Sequence, residues 1–275
     1  MKMIWTMLHT TDDISTDQHL SKFLDEIKSL FPLEEIRVLW HEGTLRNVPL
    51  EKMSSKDVFE VYCQGSIALE GVFFETWIAW FRLSGDDARW SLKNSGKRQN
   101  MIVIKISTEL LSKASFMESY TASLMRLSSL FNITYGECFD PIKKKVNPPT
   151  KDNLEDGLTE ISWINIYGEE FVNLIGKQKL LTIPAYRSID IEENLIYVQA
   201  TEHFTDPDTE IFQKIAAEMK AHIGEEYFRL PRTTKERSGL FGLALDLFQE
   251  HLEFSSSKFK AKKTPVFDYS NIYTL

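Results

Sequence analysis

The stretch that decides the fold runs from Ile161 to Gly176 and reads ISWINIYGEEFVNLIG. Side chains alternate along a β-strand, so the first half of this stretch places Trp163, Asn165 and Tyr167 on one face of a strand. Gly168 then allows a turn, and the apolar spacing that follows predicts a short helix that ends at the closing glycine. We expect the two aromatic side chains to lie in the core and the two glycines to occupy turn positions.

Helices and short strands are predicted on both sides of this stretch. Apolar residues at three- and four-residue spacing predict helices that begin near Asp17, near Thr108 and at Asp206, with Pro207 in the first helical position. Runs rich in β-branched and aromatic residues predict strands at residues 4–8, 36–40, 77–83, 101–106 and 160–167, and a hairpin of residues 188–191 and 195–200. Because hairpins are frequent and strands do not alternate strictly with helices, the predicted class is α+β, with mixed or antiparallel sheets, helices packed on one face, and two lobes.

The domain organisation follows from a change in composition. Residues 141–157 contain three prolines and no apolar period, which predicts a linker or crossing loop between an N-terminal lobe, 1–140, and a C-terminal lobe, 158–230. Residues 231–275 carry seven Lys and Arg against five Asp and Glu. We expect this last segment to form a helix near residues 240–252 and a basic tail, both packed on the body.

The overall charge excludes some classes of partner. The chain has 275 residues, with 32 Lys and Arg against 40 Asp and Glu, and a net charge of −8. A protein this acidic is a poor general binder of nucleic acid or of anionic membranes, since both repel it. The longest apolar runs are far shorter than the roughly 20 residues of a membrane span. We therefore expect a soluble, cytoplasmic protein.

The sequence contains no motif of a known catalytic, cofactor-binding or metal-binding site. Glycine-rich phosphate loops, Gly-x-Ser-x-Gly, His-Glu-x-x-His and Cys-x-x-Cys are all absent, and the six histidines are scattered. Two cysteines, Cys63 and Cys138, are too few for a disulfide scaffold or a zinc site of their own. We expect no catalytic residues, no cofactor and no metal; a site assembled only by the fold, for instance from His41 or His203 with Cys63, stays open.

Adjacent acidic residues are frequent, and two pairs fall where a partner could reach them. Glu169 and Glu170 follow the predicted strand, and Glu192 and Glu193 lie in the predicted hairpin turn. Carboxylates on exposed tips create a negative field that attracts a basic protein. These four residues are the candidate contacts with a partner, and ordinary solvated turns are the alternative interpretation.

The Trp-Ile-Asn-x-Tyr-Gly-x-x-Phe-Val-x-Leu-Ile-Gly pattern, followed by Lys179-Leu180-Leu181 and Pro184-Ala185, resembles bacterial immunity proteins of the immunity protein 52 type and related type VI secretion immunity proteins. The resemblance covers residues 161–202. It implies a non-catalytic cytoplasmic protein that binds and neutralises a cognate toxin, and a basic toxin would suit the acidic tips. Two alternatives remain: an enzyme of unrecognised class, and an assembly or scaffold protein of a phage or secretion system.

Overall fold

The computed structural model describes residues 2–10, 12, 14, 16–39, 48–62, 66–71, 74–79, 100–142, 158 and 160–228. Several predicted features lie outside these ranges. They are Cys63, His41, most of the predicted linker, and the predicted helix and basic tail of residues 231–275.

The described strands form one antiparallel sheet of ten. In chain order they are β1 (Met3–Thr10), β2 (Arg37–Leu39), β3 (Val48–Pro49), β4 (Ser66–Glu70), β5 (Phe74–Ala79), β6 (Asn100–Ser107), β7 (Tyr135–Phe139), β8 (Ile164–Tyr167), β9 (Arg187–Glu192) and β10 (Leu195–Gln199). Their order across the sheet is β3-β2-β4-β5-β6-β1-β7-β8-β10-β9. The N-terminal strand β1 therefore lies in the interior of the sheet, between β6 and β7.

Seven α-helices accompany the sheet in the described residues. They are α1 (Asp17–Leu30), α2 (Ser55–Tyr62), α3 (Thr108–Leu111), α4 (Ala114–Leu130), α5 (Glu169–Ile175), α6 (Lys177–Leu181) and α7 (Glu210–Ile223), with short 3₁₀ turns at Leu33–Glu35, Leu50–Lys52 and Glu225–Tyr227. None of these helices combines the length and the apolar character that a membrane crossing needs.

The helices lie on both faces of the sheet. Thr6 of β1 is hydrogen-bonded to Tyr120 of α4 at 2.5 Å, so α4 covers the face to which Thr6 points. His9, three residues later, points to the opposite face, and it lies directly across from Tyr135 of β7. The Tyr135 ring contacts Phe171 of α5, with 5.2 Å between the ring centroids, so α5 covers that second face.

The α+β class and the antiparallel sheet are confirmed. Helices were expected on one face of the sheet, and in the structure they cover both faces. The physical reason for cover on both faces lies in β8 and β10, in which every residue is buried. A strand that is buried on both sides needs cover on both sides. On one face α1 packs with α4, and on the other α6 follows α5 and contacts α7.

The sheet is continuous across the predicted linker. β7 precedes residues 141–157 and β8 follows them, yet the two strands are neighbours, with Tyr135 opposite Tyr167 and Cys138 opposite Ile164. The buried apolar side chains of both halves also belong to a single hydrophobic cluster. The chain segments on the two sides of the linker thus share one sheet and one core.

One predicted helix boundary is wrong, and one predicted helix is divided in two. The helix predicted to begin at Asp206 begins at Glu210, because the Thr209 hydroxyl accepts the backbone N–H of Phe212 as an N-cap. Pro207 therefore precedes α7 and lies in the turn that Asp206 closes by accepting the backbone N–H of Asp208. The helix predicted to begin near Thr108 does begin there, and it is divided into α3 and α4 at residues 112–113.

Candidate functional site

The site is built around β8 and the helix that follows it. Trp163 immediately precedes β8 and is only 2% exposed. Its indole Nε1 donates a hydrogen bond to the carbonyl of Thr201 at 3.0 Å, and its ring meets the Phe204 ring edge-on, with centroids 5.6 Å apart. These contacts fix the segment that follows β10 against the start of β8. The role of Trp163 in the structure is therefore that of a core anchor.

Gly168 lets the chain pass from β8 into α5 against the backbone of a neighbouring turn. Its N–H donates to the carbonyl of Thr134 at 3.1 Å. A Cβ added here would collide with the carbonyl oxygen of Ile133 and would lie 2.8 Å from the Cα of Thr134. Since both obstacles are backbone atoms, a larger residue would displace the chain. Gly176, with φ 103°, then ends α5 in a conformation that other residues rarely adopt.

Asn165 and Ser162 form the polar centre beneath α5. The Asn165 side chain accepts the N–H of Ser162 at 3.0 Å and donates to its carbonyl at 2.8 Å. The Ser162 hydroxyl donates to the Glu137 carboxylate at 3.1 Å, and the Tyr135 hydroxyl lies 3.2 Å from the same oxygen. All four side chains are at most 4% exposed. The network gives hydrogen-bond partners to one oxygen of Glu137 and to the backbone of Ser162, and it links β7 to the segment that begins β8.

His9 adds an unusual titratable group to this buried face. It is 5% exposed, and its Nε2 is buried without a hydrogen-bond partner among the described residues. Burial lowers the pKa of His9 to about 4, while the nearby Glu137 carboxylate opposes part of that change. Burial also raises the pKa of Tyr135 and of Tyr167. At neutral pH the imidazole is uncharged, and α5 separates this cluster from solvent.

The four predicted contact residues lie at one end of the sheet. Glu169 and Glu170 begin α5 directly after β8, and Glu192 and Glu193 lie at the turn between β9 and β10. β8 and β10 are neighbours, with Tyr167 opposite Ile196, so the end of β8 lies beside the start of β10. The fold thus brings together two acidic pairs that are far apart in the sequence.

Asp12 lies at the same end of the sheet, because the end of β1 pairs with the start of β7. It follows β1 and accepts a hydrogen bond from the side chain of Asn132, in the turn before β7, at 3.3 Å. We name the surface formed by Asp12, Glu169, Glu170, Glu192 and Glu193 the acidic end. Asp12, Glu169, Glu192 and Glu193 are exposed and Glu170 is half-buried.

The β9–β10 turn is held in place by contacts on both sides. The Ser129 hydroxyl at the end of α4 donates to Glu192. From the other face, Lys177 donates to the carbonyl of Glu193 at 2.8 Å and pairs with Asp190 at 2.8 Å. A turn that is braced in this way presents its carboxylates in a defined position.

Two exposed apolar residues, one on α5 and one just before β9, were not predicted from the sequence. Leu174 on α5 lies one helical turn after Glu170 and is 44% exposed, and Tyr186, just before β9, is 51% exposed. The helical period contains the signal for Leu174, since Phe171, Val172 and Ile175 define the buried side of α5. Tyr186 carried no comparable signal, because it follows a proline-containing turn without periodicity.

No metal site accompanies these carboxylates in the described part of the chain. None of its His, Cys, Asp and Glu side chains form a group of three or more that could hold an ion. Cys138, on β7, is buried. The carboxylates of the acidic end carry negative charge and accept hydrogen bonds.

The fold is similar to that of a known secretion-system protein. The Pseudomonas aeruginosa T6SS protein PA0821 matches with a TM-score of 0.58, over 98% of this chain and 92% of that chain, at 10% sequence identity. No protein-family model matches the sequence, and no curated protein does. At this identity the likeness shows a shared fold.

Proposed function

We propose that this protein is an immunity protein that binds and neutralises a cognate bacterial toxin in the cytoplasm. The observation that carries the proposal is the convergence of both acidic pairs on one braced end of the sheet, beside the exposed Leu174. The resemblance of residues 161–202 to immunity proteins supports it, as does the fold shared with a T6SS protein.

The acidic end has the physical properties of a surface that meets a basic partner. Carboxylates at the rim of an interface act over a distance, so they accelerate the encounter and orient it, whereas apolar and aromatic contacts supply most of the affinity. Leu174 is suited to the second role because it is large, exposed and fixed on a helix whose other side is buried. We therefore propose a toxin whose contact surface is positively charged.

The test is to neutralise the turn and measure association with the cognate toxin, sought among the products of neighbouring reading frames. Glu192→Gln with Glu193→Gln should slow association about threefold to tenfold at low salt, and the difference should disappear at high salt because ions screen exposed charges. The matched control, Glu34→Gln with Glu35→Gln, removes the same charge from the exposed 3₁₀ turn after α1. It should leave the association rate unchanged at both salt concentrations.

Two outcomes would contradict the proposal in different ways. If the toxin forms no complex with the wild-type protein and cells expressing both are not protected, the immunity function is wrong. If the complex forms and the Glu192/Glu193 variant associates at the wild-type rate at both salt concentrations, this turn lies outside the interface.

We further propose that inhibition is stoichiometric rather than catalytic. Titration of a fixed amount of toxin should then reach full inhibition at a constant molar ratio of the two proteins. If traces of this protein inactivated an excess of toxin over time, and a single substitution abolished that turnover, the protein would be an enzyme.

A further inference from the structure

The two edges of the sheet differ in how they are protected. β3, at one edge, has two residues, and one of them is Pro49, which has no N–H to donate. β9, at the other edge, has six residues and no proline. No described strand pairs with its outer side, and its six residues are half-buried or exposed. β9 is therefore the edge at which another strand could add.

Side-chain contacts from both faces hold β9 in a strand conformation. On one face the Ser188 hydroxyl donates to the carbonyl of Leu180 in α6 at 2.9 Å. On the other, the Arg187 guanidinium donates to Gln199 at 2.9 Å and to Thr121 of α4 at 3.2 Å. Because these contacts fix the strand without using its outer backbone groups, an added segment would meet an edge that is already ordered.

The charges along β9 indicate what kind of segment would fit. Two charged side chains of β9 already have partners within the protein. The Arg187 guanidinium donates to Gln199, and Asp190 is paired with Lys177 at 2.8 Å. The charge at the far end of the strand is negative, from Glu192 and Glu193. At the near end the exposed Tyr186 offers an aromatic ring.

We propose that the toxin binds by adding an extended segment of its chain to the outer edge of β9. Main-chain hydrogen bonds to β9 would supply affinity, a basic residue of the segment would meet the β9–β10 turn, and an apolar residue would pack on Tyr186. This inference rests on the immunity function proposed above and assigns the part of the surface that the toxin uses.

Hydrogen exchange of the complex with the cognate toxin tests the assignment. Strand addition buries the outer N–H groups of β9, so amides within residues 187–192 should exchange at least about tenfold more slowly in the complex. Amides of β4, which lies near the opposite edge of the sheet, should be unchanged. A complex in which β9 exchanges at its free rate would overturn this inference and leave the immunity function intact. Absence of any complex would overturn both.

A pair of lysine substitutions gives an independent measurement. Ile191→Lys places a cation on the edge of β9, where lysine opposes strand addition and repels a basic segment, and should weaken binding at least about tenfold. Ile211→Lys makes the same change at a 69%-exposed site on α7 and should bind like the wild type. Equal affinity of the two variants, with both melting normally, would overturn the assignment of β9. If Ile191→Lys melts at a lower temperature, weaker binding could come from loss of the fold. The hydrogen-exchange result on the wild-type complex then decides whether β9 is the binding edge.

Discussion

The buried His9 should make the protein lose stability in mildly acidic solution. Its pKa is about 4 in the folded protein, below the value of 6.5 for an exposed histidine. Above pH 6.5 the imidazole is neutral in both states. As the pH falls from 6.5 toward 4 the unfolded chain takes up the proton and the folded protein does not, so the folded state is progressively destabilised. Below pH 4 both states are protonated, and this contribution stays constant.

The size of the effect follows from the difference between the two pKa values. Each pKa unit corresponds to about 1.4 kcal/mol, so the contribution of His9 to the free energy of unfolding should fall by about 3 kcal/mol between pH 7 and pH 4. That is a large part of the stability of an ordinary domain, which is about 5–15 kcal/mol. Removal of the imidazole should remove this portion of the pH dependence.

Urea unfolding followed by tryptophan fluorescence, at several pH values between 7 and 4, measures the effect. Carboxylates titrate in the same range, so the informative quantity is the difference between the wild type and His9→Gln, which has a side chain of similar size that does not titrate. His203→Gln, on an exposed loop, is the matched control and should follow the wild type. Parallel curves for wild type and His9→Gln would refute the reasoning, since the imidazole would then titrate equally in both states.

Three further predictions concern the residues around β8, and urea or thermal unfolding checks each of them. Trp163→Ala should lower the free energy of unfolding by about 3–5 kcal/mol, because the side chain is 2% exposed and packed; a loss below about 1 kcal/mol would contradict its core position. Gly168→Ala should be more destabilising than Gly176→Ala, since the first adds a backbone collision and the second only an unfavourable φ at about 1–2 kcal/mol; the reverse order would contradict this geometry. Asn165→Ala should cost about 2–4 kcal/mol by removing the two hydrogen bonds that the amide makes with the backbone of Ser162, and a neutral effect would mean that water replaces the amide.

Local signals predicted much of the secondary structure. α1 begins after its Thr16 cap and ends before Pro32, and the β9–β10 hairpin turns where the acidic residues interrupt the apolar run. β7 was missed because Gly136 and Glu137 break the alternation that marks a half-buried strand. In the folded chain these two residues are explained by neighbours distant in sequence. Leu8 and Ile166 leave little room for a Cβ at Gly136, and the Ser162 hydroxyl donates to the carboxylate of Glu137.

The candidate site could be predicted only in part, for a related reason. The acidic pairs were recognisable as exposed tips from their local sequence. Their convergence depends on the pairing of β8 with β10, which no local pattern encodes. The buried His9 was beyond prediction, because its environment is formed by β7, a strand more than a hundred residues later in the chain.

The interior position of β1 has a consequence for biosynthesis. β1 is translated before both of its partners, β6 and β7, which begin at Asn100 and Tyr135. At about 5–20 residues per second, the ribosome needs roughly 5–25 seconds to supply them. During that interval the apolar segment around Ile4 and Leu8 has no sheet to join and is open to chaperones or to association with other nascent chains. The high contact order that results should also make refolding slow compared with that of a helical protein of this size.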